Sequence, residues 1–263
     1  FPYTTLFRSG CRFCQAGFVT RPVRERTPGK LFKKAVESQR ATGYEEIGLL
    51  SLSTGDYSGL SELTTLLIEK TKGTGISLSL PSLRLDSFNA DILEKASGSR
   101  KSGLTFAPEA GTQRLRNVIN KNITYDDLMG SMRIAFSGGR NSVKLYFMLG
   151  LPTETDDDID GISKLVFDVL QLYMQMPCET KKRKPEITVS AAIFVPKPFT
   201  PFQWEAQERL EELTRKQRRL RDLLKSRYIR FQWHGSEASL WEAVLARGDR
   251  RLGKVILKAY QEG

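Results

Sequence analysis

The sequence predicts an α/β protein in which parallel strands with helices outside curl into a closed or partly open βα barrel. Two observations predict it. Short β-branched or apolar runs alternate with helical patterns along almost the whole chain, an order that in folded domains means strand, helix and parallel strand. Each apolar run is also followed by a polar, Gly-rich or Pro-rich exit, and in barrels of about five to seven such units the chemistry gathers at the carboxyl ends of the strands.

The elements follow in order. Leu31, Phe32, Ala35 and Val36 have helical spacing and lead to Gly43, and Ile47 to Leu52 reads as a buried strand. A helix is expected around Leu60 to Lys72, a strand over Ile76 to Pro81, a helix over Ala90 to Ala96 and a strand over Gly103 to Ala107. Gln113 to Asn120 and Asp126 to Phe136 look helical, the second opened by a Thr124 cap. Val143 to Met148 is the next strand, Ile159 to Met176 a long helix with apolar residues three and four apart, and Ile187 to Val195 a further strand. Beyond it the chain reads as helical. Leu210, Leu213, Leu220, Leu223 and Leu224 mark one face of a helix whose other side carries Arg215, Lys216, Arg218, Arg219 and Arg221. A short run, Tyr228 to Trp233, leads to a helix from Ser236 with Leu240, Trp241, Val244 and Leu245 expected on its buried side. The division is therefore a core barrel over residues 10–205 and a C-terminal helical extension over 206–263, which we expect to continue beyond Tyr260.

Composition narrows the classes. The chain has 263 residues, 40% hydrophobic and 27% charged, enough for one large domain with a substantial core. No apolar run approaches a membrane span and no signal peptide is visible, so a soluble cytoplasmic protein is expected, with no membrane partner. Lys and Arg outnumber Asp and Glu by 41 to 30, a net charge of +11 that points to a polyanionic partner such as RNA or a phosphorylated substrate. Much of that excess lies in Lys181 to Lys184 and in Arg215 to Arg230, and charged runs are most often solvated faces or loops.

The stretch with the most chemistry is Ser9-Gly10-Cys11-Arg12-Phe13-Cys14-Gln15-Ala16-Gly17, two thiols three positions apart in a Gly-rich turn. Zinc knuckles, redox dithiols and iron–sulfur sites all use C-x-x-C. No second thiol pair completes a zinc site: Cys178 is isolated, and the lone histidine, His234, is far along the chain. A non-catalytic zinc or RNA-binding scaffold nevertheless stays open on these residues alone. Cys178 and His234 themselves are most simply structural.

With Phe13 just before the second thiol, the loop resembles the C-x-x-x-C-x-aromatic-C cluster loop of the radical S-adenosylmethionine (SAM) enzymes. The resemblance covers nearly the whole chain from Gly10, through Leu50 to Thr54, Leu80 to Arg84, Phe106 to Thr112, Tyr146 to Thr155 and Phe194 to Pro198. It lies in the methylthiotransferase and elongator-type branch, nearest the uncharacterised bacterial radical SAM proteins with an upstream cobalamin-binding domain. The cluster motif wants a further cysteine at position 7, where this chain has Phe7. Phe1 to Ser9 is the translation of TTT CCC TAC ACG ACG CTC TTC CGA TCT, which resembles a sequencing-library adapter. Residues 1–9 are therefore expected to be non-native, with a cysteine at position 7 in the natural gene.

The resemblance implies a partial (βα)6 TIM-type barrel, a 4Fe-4S cluster with Cys11 and Cys14 among its ligands, SAM as co-substrate, and reductive cleavage to a 5′-deoxyadenosyl radical. It implies an external electron donor and, through a domain outside this chain, cobalamin; an RNA methylthiotransferase-like reaction is the enzymatic alternative. By the same resemblance Ser53, Thr54 and Asp56 would bind the methionyl amine, Arg84 the carboxylate, Glu109 the ribose hydroxyls, and Gly150 with Leu151 the adenine. Glu109 reads equally as a helix-capping carboxylate, and Lys144, Tyr146 and Lys197 as cavity-lining or as packing and solvent-facing side chains. The substrate and the residues that act on it are not named by the sequence.

Overall fold

The computed structural model describes residues 10–19, 24–49, 57–79, 104–177 and 183–263. Among them the elements run α1 (Ala16–Val19), α2 (Pro28–Thr42), β1 (Glu46–Gly48), α3 (Leu60–Thr71), β2 (Ser77–Ser79), β3 (Leu104–Glu109), α4 (Gln113–Val118), α5 (Tyr125–Ser137), β4 (Ser142–Leu149), α6 (Asp156–Gln175), β5 (Glu186–Ile193), α7 (Leu210–Leu223), β6 (Ile229–Trp233), α8 (Ser236–Arg247) and α9 (Leu252–Glu262). The helix expected over Ala90 to Ala96 lies outside the described residues. None of the described helices is long and apolar enough to cross a membrane.

Every described strand pair is parallel, as the alternation predicts: β1 pairs β2, and β3-β4-β5-β6 form a second sheet in that order. Parallel neighbours need a crossover, and α3, the α4–α5 pair, α6 and α7 supply them in sequence. One face of the larger sheet carries Phe106, Val143, Leu145, Phe147, Leu149, Ile187 and Val189, packed against Leu128, Met132, Ile159, Val166 and Leu220 from α5, α6 and α7. Parallel strands covered on this face must be apolar at alternate positions, and they are. The smaller sheet has its own core, in which Leu60, Leu63 and Leu67 of α3 meet Leu31, Phe32 and Ile47.

Two helix starts follow local rules. Thr124 accepts from the Asp127 N–H at 3.1 Å while Asp127 accepts from the Thr124 N–H at 2.8 Å, a reciprocal cap on α5. In α6, Asp158 plays the Asp127 part, accepting from the Thr155 N–H at 2.8 Å. It also accepts from the Thr112 hydroxyl and from Arg114, so one carboxylate ties three segments. Its side chain is 1% exposed. Burial pushes the Asp158 carboxyl up, but the hydrogen bonds from Thr112, Thr155 and Arg114 outweigh it and hold the carboxyl below its usual range. A carboxyl depressed in the folded state adds stability above its unfolded pKa of about 3.9 and loses it as pH falls through the lower folded value. Asp158→Ala is expected to cost about 3 kcal/mol at neutral pH and much less in acid, as read by denaturant unfolding at both pH values.

Two expectations are corrected. The run Tyr228 to Trp233, placed within a helical extension, contains β6, which pairs in register with β5 from Ile187 opposite Ile229 to Ala191 opposite Trp233. Ile229 and Phe231 alternate with Arg230 and Gln232, a period-two signal only five residues long between two strong helical patterns. In α8 the buried residues are Ser239 and Ala243, whereas Leu240, Trp241, Val244 and Leu245 face outward, Trp241 at 59% exposure. The small face of α8 is the one that approaches the chain, where the Ser239 carbonyl accepts from the Gln207 amide at 3.0 Å.

Three of the five cations of α7 are committed within the fold. Arg215 pairs with Asp156 at 2.7 Å, Arg219 with Asp160 at 2.7 Å and Lys216 with Glu154 at 3.0 Å, all on or next to the acidic first turn of α6. Acidic residues there are favoured by the helix dipole as well.

Candidate functional site

The cysteine turn sits over the carboxyl ends of β3, β4 and β5. Phe13 packs against a cluster of Ala110 just after β3, Leu151 just after β4 and Phe194 just after β5, joined by Leu115, Ile119 and Phe202, and Met148 at the end of β4 packs against the same cluster. Backbone bonds fix the turn on both sides. The Arg12 N–H donates to the Ile119 carbonyl at 3.0 Å, the Arg12 guanidinium to the Val118 carbonyl at 2.6 Å, and the Phe202 N–H to the Arg12 carbonyl at 3.2 Å. The carbonyls of Val118 and Ile119 end α4 and have no partner within the helix, so the cysteine loop satisfies groups that a helix terminus always leaves over. Asn120 adds a latch, its amide donating to the Gly10 carbonyl at 3.0 Å. Both partners lie in the left-handed region, Gly10 at φ 62° and Asn120 at φ 54°, where glycine and asparagine are the residues that fit. On the other side the Gln15 amide donates to the Pro198 carbonyl at 3.1 Å.

Within the turn the Cys14 N–H donates to the Cys11 carbonyl at 3.0 Å. That closure brings residues three apart within about 7 Å at Cα, close enough for two thiols to ligate one metal centre. Cys11 is buried and Cys14 half-buried. The pair therefore fits two ligands of an iron–sulfur or zinc site. Among the described residues no group of three or more His, Cys, Asp or Glu completes it.

Glu109 ends β3 at φ 69°, beside a register shift in the β3–β4 ladder. The irregularity turns its carboxyl to Lys121, whose ammonium is 3.4 Å away with both side chains mostly buried. Burial raises the Glu109 carboxyl above its usual range and the Lys121 charge and hydrogen bond pull it back in part. Lys121→Met is expected to raise it further, read as an upward move of the Glu109 carboxyl carbon titration; no movement would mean that the ion pair does not form. The next turn is braced by buried Arg116, which donates to the carbonyls of Ala110 at 2.9 Å and Gly111 at 3.3 Å.

Gly150 follows β4 at φ 76°. A Cβ there would stand 2.8 Å from Leu213 and 3.3 Å from Glu208, so the absent side chain makes room for α7. Its N–H donates to Glu154 at 2.8 Å, and Lys216 bridges Glu154 at 3.0 Å and Glu208 at 2.7 Å. Leu151 is buried in the cluster against which Phe13 packs. Two residues on, Thr153 adopts φ 65°, a strained conformation for a β-branched residue. Arg114 holds it there, donating to the Thr153 carbonyl at 2.8 Å and hydroxyl at 3.2 Å.

The fold thus gathers Cys11, Cys14, Glu109, Gly150 and Leu151 at one end of the sheet. Ser53, Thr54, Asp56, Arg84 and Cys178 lie outside the described residues, as does Phe7. His234 takes a structural place through its backbone, with its N–H on the Ala191 carbonyl at 3.3 Å and its carbonyl receiving the Gln217 amide at 2.9 Å. Sequence reasoning missed Asn120, Gln15 and Lys121, which position the cysteine turn and Glu109. An asparagine just past a helix end was the one local signal for Asn120.

The family model described as Radical SAM superfamily matches residues 8–166. An uncharacterised protein of Methanocaldococcus jannaschii is 32% identical over 246 residues, which cover 94% of this chain and 51% of that protein. The chain thus spans about half the length of the curated relative it matches. Among solved structures, Streptococcus suis SuiB bound to the precursor peptide SuiA is similar with a TM-score of 0.55 at 14% identity, covering 88% of this chain and 48% of that one. Elp3 of Methanocaldococcus infernus gives a TM-score of 0.49 at 11% identity, covering 79% and 54%. The SuiB likeness is one of fold alone.

Proposed function

Because the chain belongs to the radical SAM superfamily, whose members use a 4Fe-4S cluster and SAM, we propose that it is an enzyme that cleaves SAM reductively and passes the radical to a substrate. The observation that carries this reading is the cysteine turn strapped across the carboxyl ends of three parallel strands, where barrel chemistry resides. When bound, the cluster supplies the electron that breaks the sulfonium bond to the ribose carbon.

The remaining work belongs to the chain. Cys11 and Cys14 each hold an iron as thiolates, and in this proposal the third ligand is a cysteine that the natural gene encodes where Phe7 stands. Phe13, with Leu151 and Phe194 behind it, keeps water from one side of the cluster loop. Glu109 accepts from the ribose hydroxyls, with Lys121 setting its charge. The Gly150-Leu151 turn flanks the adenine; its Gly150 N–H is already held by Glu154, so the turn keeps its shape without ligand. Ser53, Thr54 and Asp56 take the methionyl amine and Arg84 its carboxylate in a two-pronged contact.

The resemblance to proteins with an upstream cobalamin-binding domain extends the proposal to a cobalamin-linked reaction in the whole protein. The net charge of +11 favours RNA or another phosphorylated substrate, electrons come from an external donor, and the protein works in the reducing cytoplasm. Electron paramagnetic resonance of the reduced, reconstituted Phe7→Cys protein tests the reading. A cluster signal that changes shape on addition of SAM is expected. Zinc bound with no cluster would favour the scaffold instead.

A further inference from the structure

One face of the β3–β6 sheet is closed by α5, α6 and α7; the other carries a different chemistry. Parallel register partners share a face, so Thr105, Lys144, Thr188 and Arg230 form one row across four strands. Tyr146, Ser190 and Gln232 form the row above it, and Met148 with Ala192 the next. Met148 packs against the same apolar cluster as Phe13 of the cysteine turn. This polar face therefore climbs from a cationic floor to the proposed reacting end.

Several of the chain's cations are already committed within the fold. Lys121, Lys164, Lys197, Arg215, Lys216 and Arg219 each face a carboxylate. Lys144 and Arg230 meet none among the described residues, and the Lys144 ammonium lies 4.7 Å from the centre of the Tyr146 ring, on this same face. Lys144 is half-buried, and holding a cation out of bulk water without a counter-charge has a cost. Arg230 is exposed; two strand spacings put its Cα about 10 Å from that of Lys144, a span that two long side chains on one face close over one oxyanion, with Thr188 between them.

We propose that Lys144 and Arg230, with Thr188 between them, bind a phosphoryl group of the substrate on this face. Arginine supplies the fork that matches phosphate oxygens, and lysine the point charge. The floor row and the Met148 row are four residues apart, about 13 Å along the strand. The substrate accordingly carries its phosphoryl group roughly 13 Å from the position that reacts, with Tyr146 and Gln232 along the intervening part. The inference rests on the radical-enzyme reading for the direction in which the substrate extends.

Isothermal titration with inorganic pyrophosphate tests it without any cluster. Saturable one-to-one binding is expected, weakened at least ~10-fold by Lys144→Gln or Arg230→Gln and retained in Lys144→Arg, which keeps charge and stem. Lys225→Gln, at an exposed lysine paired with Asp222, is expected to leave it unchanged. Parallel titrations with adenosine 5′-phosphate and with a single-stranded RNA oligonucleotide assign the phosphoryl group to a free nucleotide or to an RNA backbone, according to which one the two Gln variants weaken. Absence of saturable pyrophosphate binding, or equal weakening by Lys225→Gln, overturns the site. Loss of SAM cleavage with pyrophosphate binding intact would instead count against the enzyme reading alone.

Discussion

Replacing Phe7 by cysteine is expected to convert a chain that retains little iron after anaerobic reconstitution into one that holds about four irons per molecule. The cause is ligand count. A phenyl ring offers no donor, and Cys11 and Cys14 alone would hold a cluster too weakly to keep its iron. A third thiolate would complete the three-cysteine set with which this family's loop holds its cluster. The Cys11–Cys14 turn does not wait for that ligand: it is held by Arg12 on the carbonyls of Val118 and Ile119, by Asn120 on Gly10 and by Phe202 on Arg12. A gain in iron on Phe7→Cys therefore reports the added thiol rather than a refolded loop. Cys11→Ala in the Phe7→Cys background should return iron to the low level. Equal iron and sulfide in the proteins with Phe7 and with cysteine would mean that position 7 is no part of the site.

Gly111→Ala is expected to destabilise the fold on the order of 4 kcal/mol, the upper end for one substitution. A Cβ at 111 would stand 2.2 Å from the Ile162 nitrogen, 2.3 Å from the Asp158 carbonyl oxygen and 2.6 Å from the Gly161 carbonyl carbon. All three are backbone atoms of α6 and cannot swing aside as a side chain can. Relief requires α6 to part from the turn after β3, which breaks the Asp158 hydrogen bonds to Thr112 and Arg114. Gly130→Ala is the control, because a Cβ at this position inside α5 meets nothing within 4 Å, and alanine in a helix gains nearly 1 kcal/mol over glycine. Thermal unfolding should show a fall of roughly 10 °C for Gly111→Ala and no fall for Gly130→Ala. Equal effects would show that the approach of α6 to this turn is softer than described.

Much of this architecture is legible in the chain because its signals are local. Apolar alternation in Val143 to Met148 and Ile187 to Ile193, the three-and-four spacing of Ile159, Ile162 and Val166, and the Thr124 cap each depend on neighbours in sequence, and each is where the structure puts it. What was not legible depends on partners far away. The apolar stripe of α8 reads as a buried face, yet the docking surface accepts only Ser239 and Ala243. The cations of α7 read as a patch for a polyanion, but three of the five are met by Asp156, Asp160 and Glu154 some sixty positions earlier. Gly150 has the residue type expected of a ligand-flanking turn, and long-range packing of Leu213 gives it a second reason to be glycine.

The candidate site divides in the same way. Cys11 and Cys14 announce themselves by spacing, and Glu109 and Gly150 by following strands. Asn120, Gln15 and Lys121 do not, because nothing near them in sequence reveals that the cysteine turn folds back on α4 and on the loop after β5.

The most direct test is the fate of SAM. Phe7→Cys protein, reconstituted with iron and sulfide and reduced under anaerobic conditions, is expected to release 5′-deoxyadenosine and methionine, and to stop doing so when Cys11 or Cys14 is replaced by alanine. A fully loaded, reduced protein that leaves SAM intact would contradict the account.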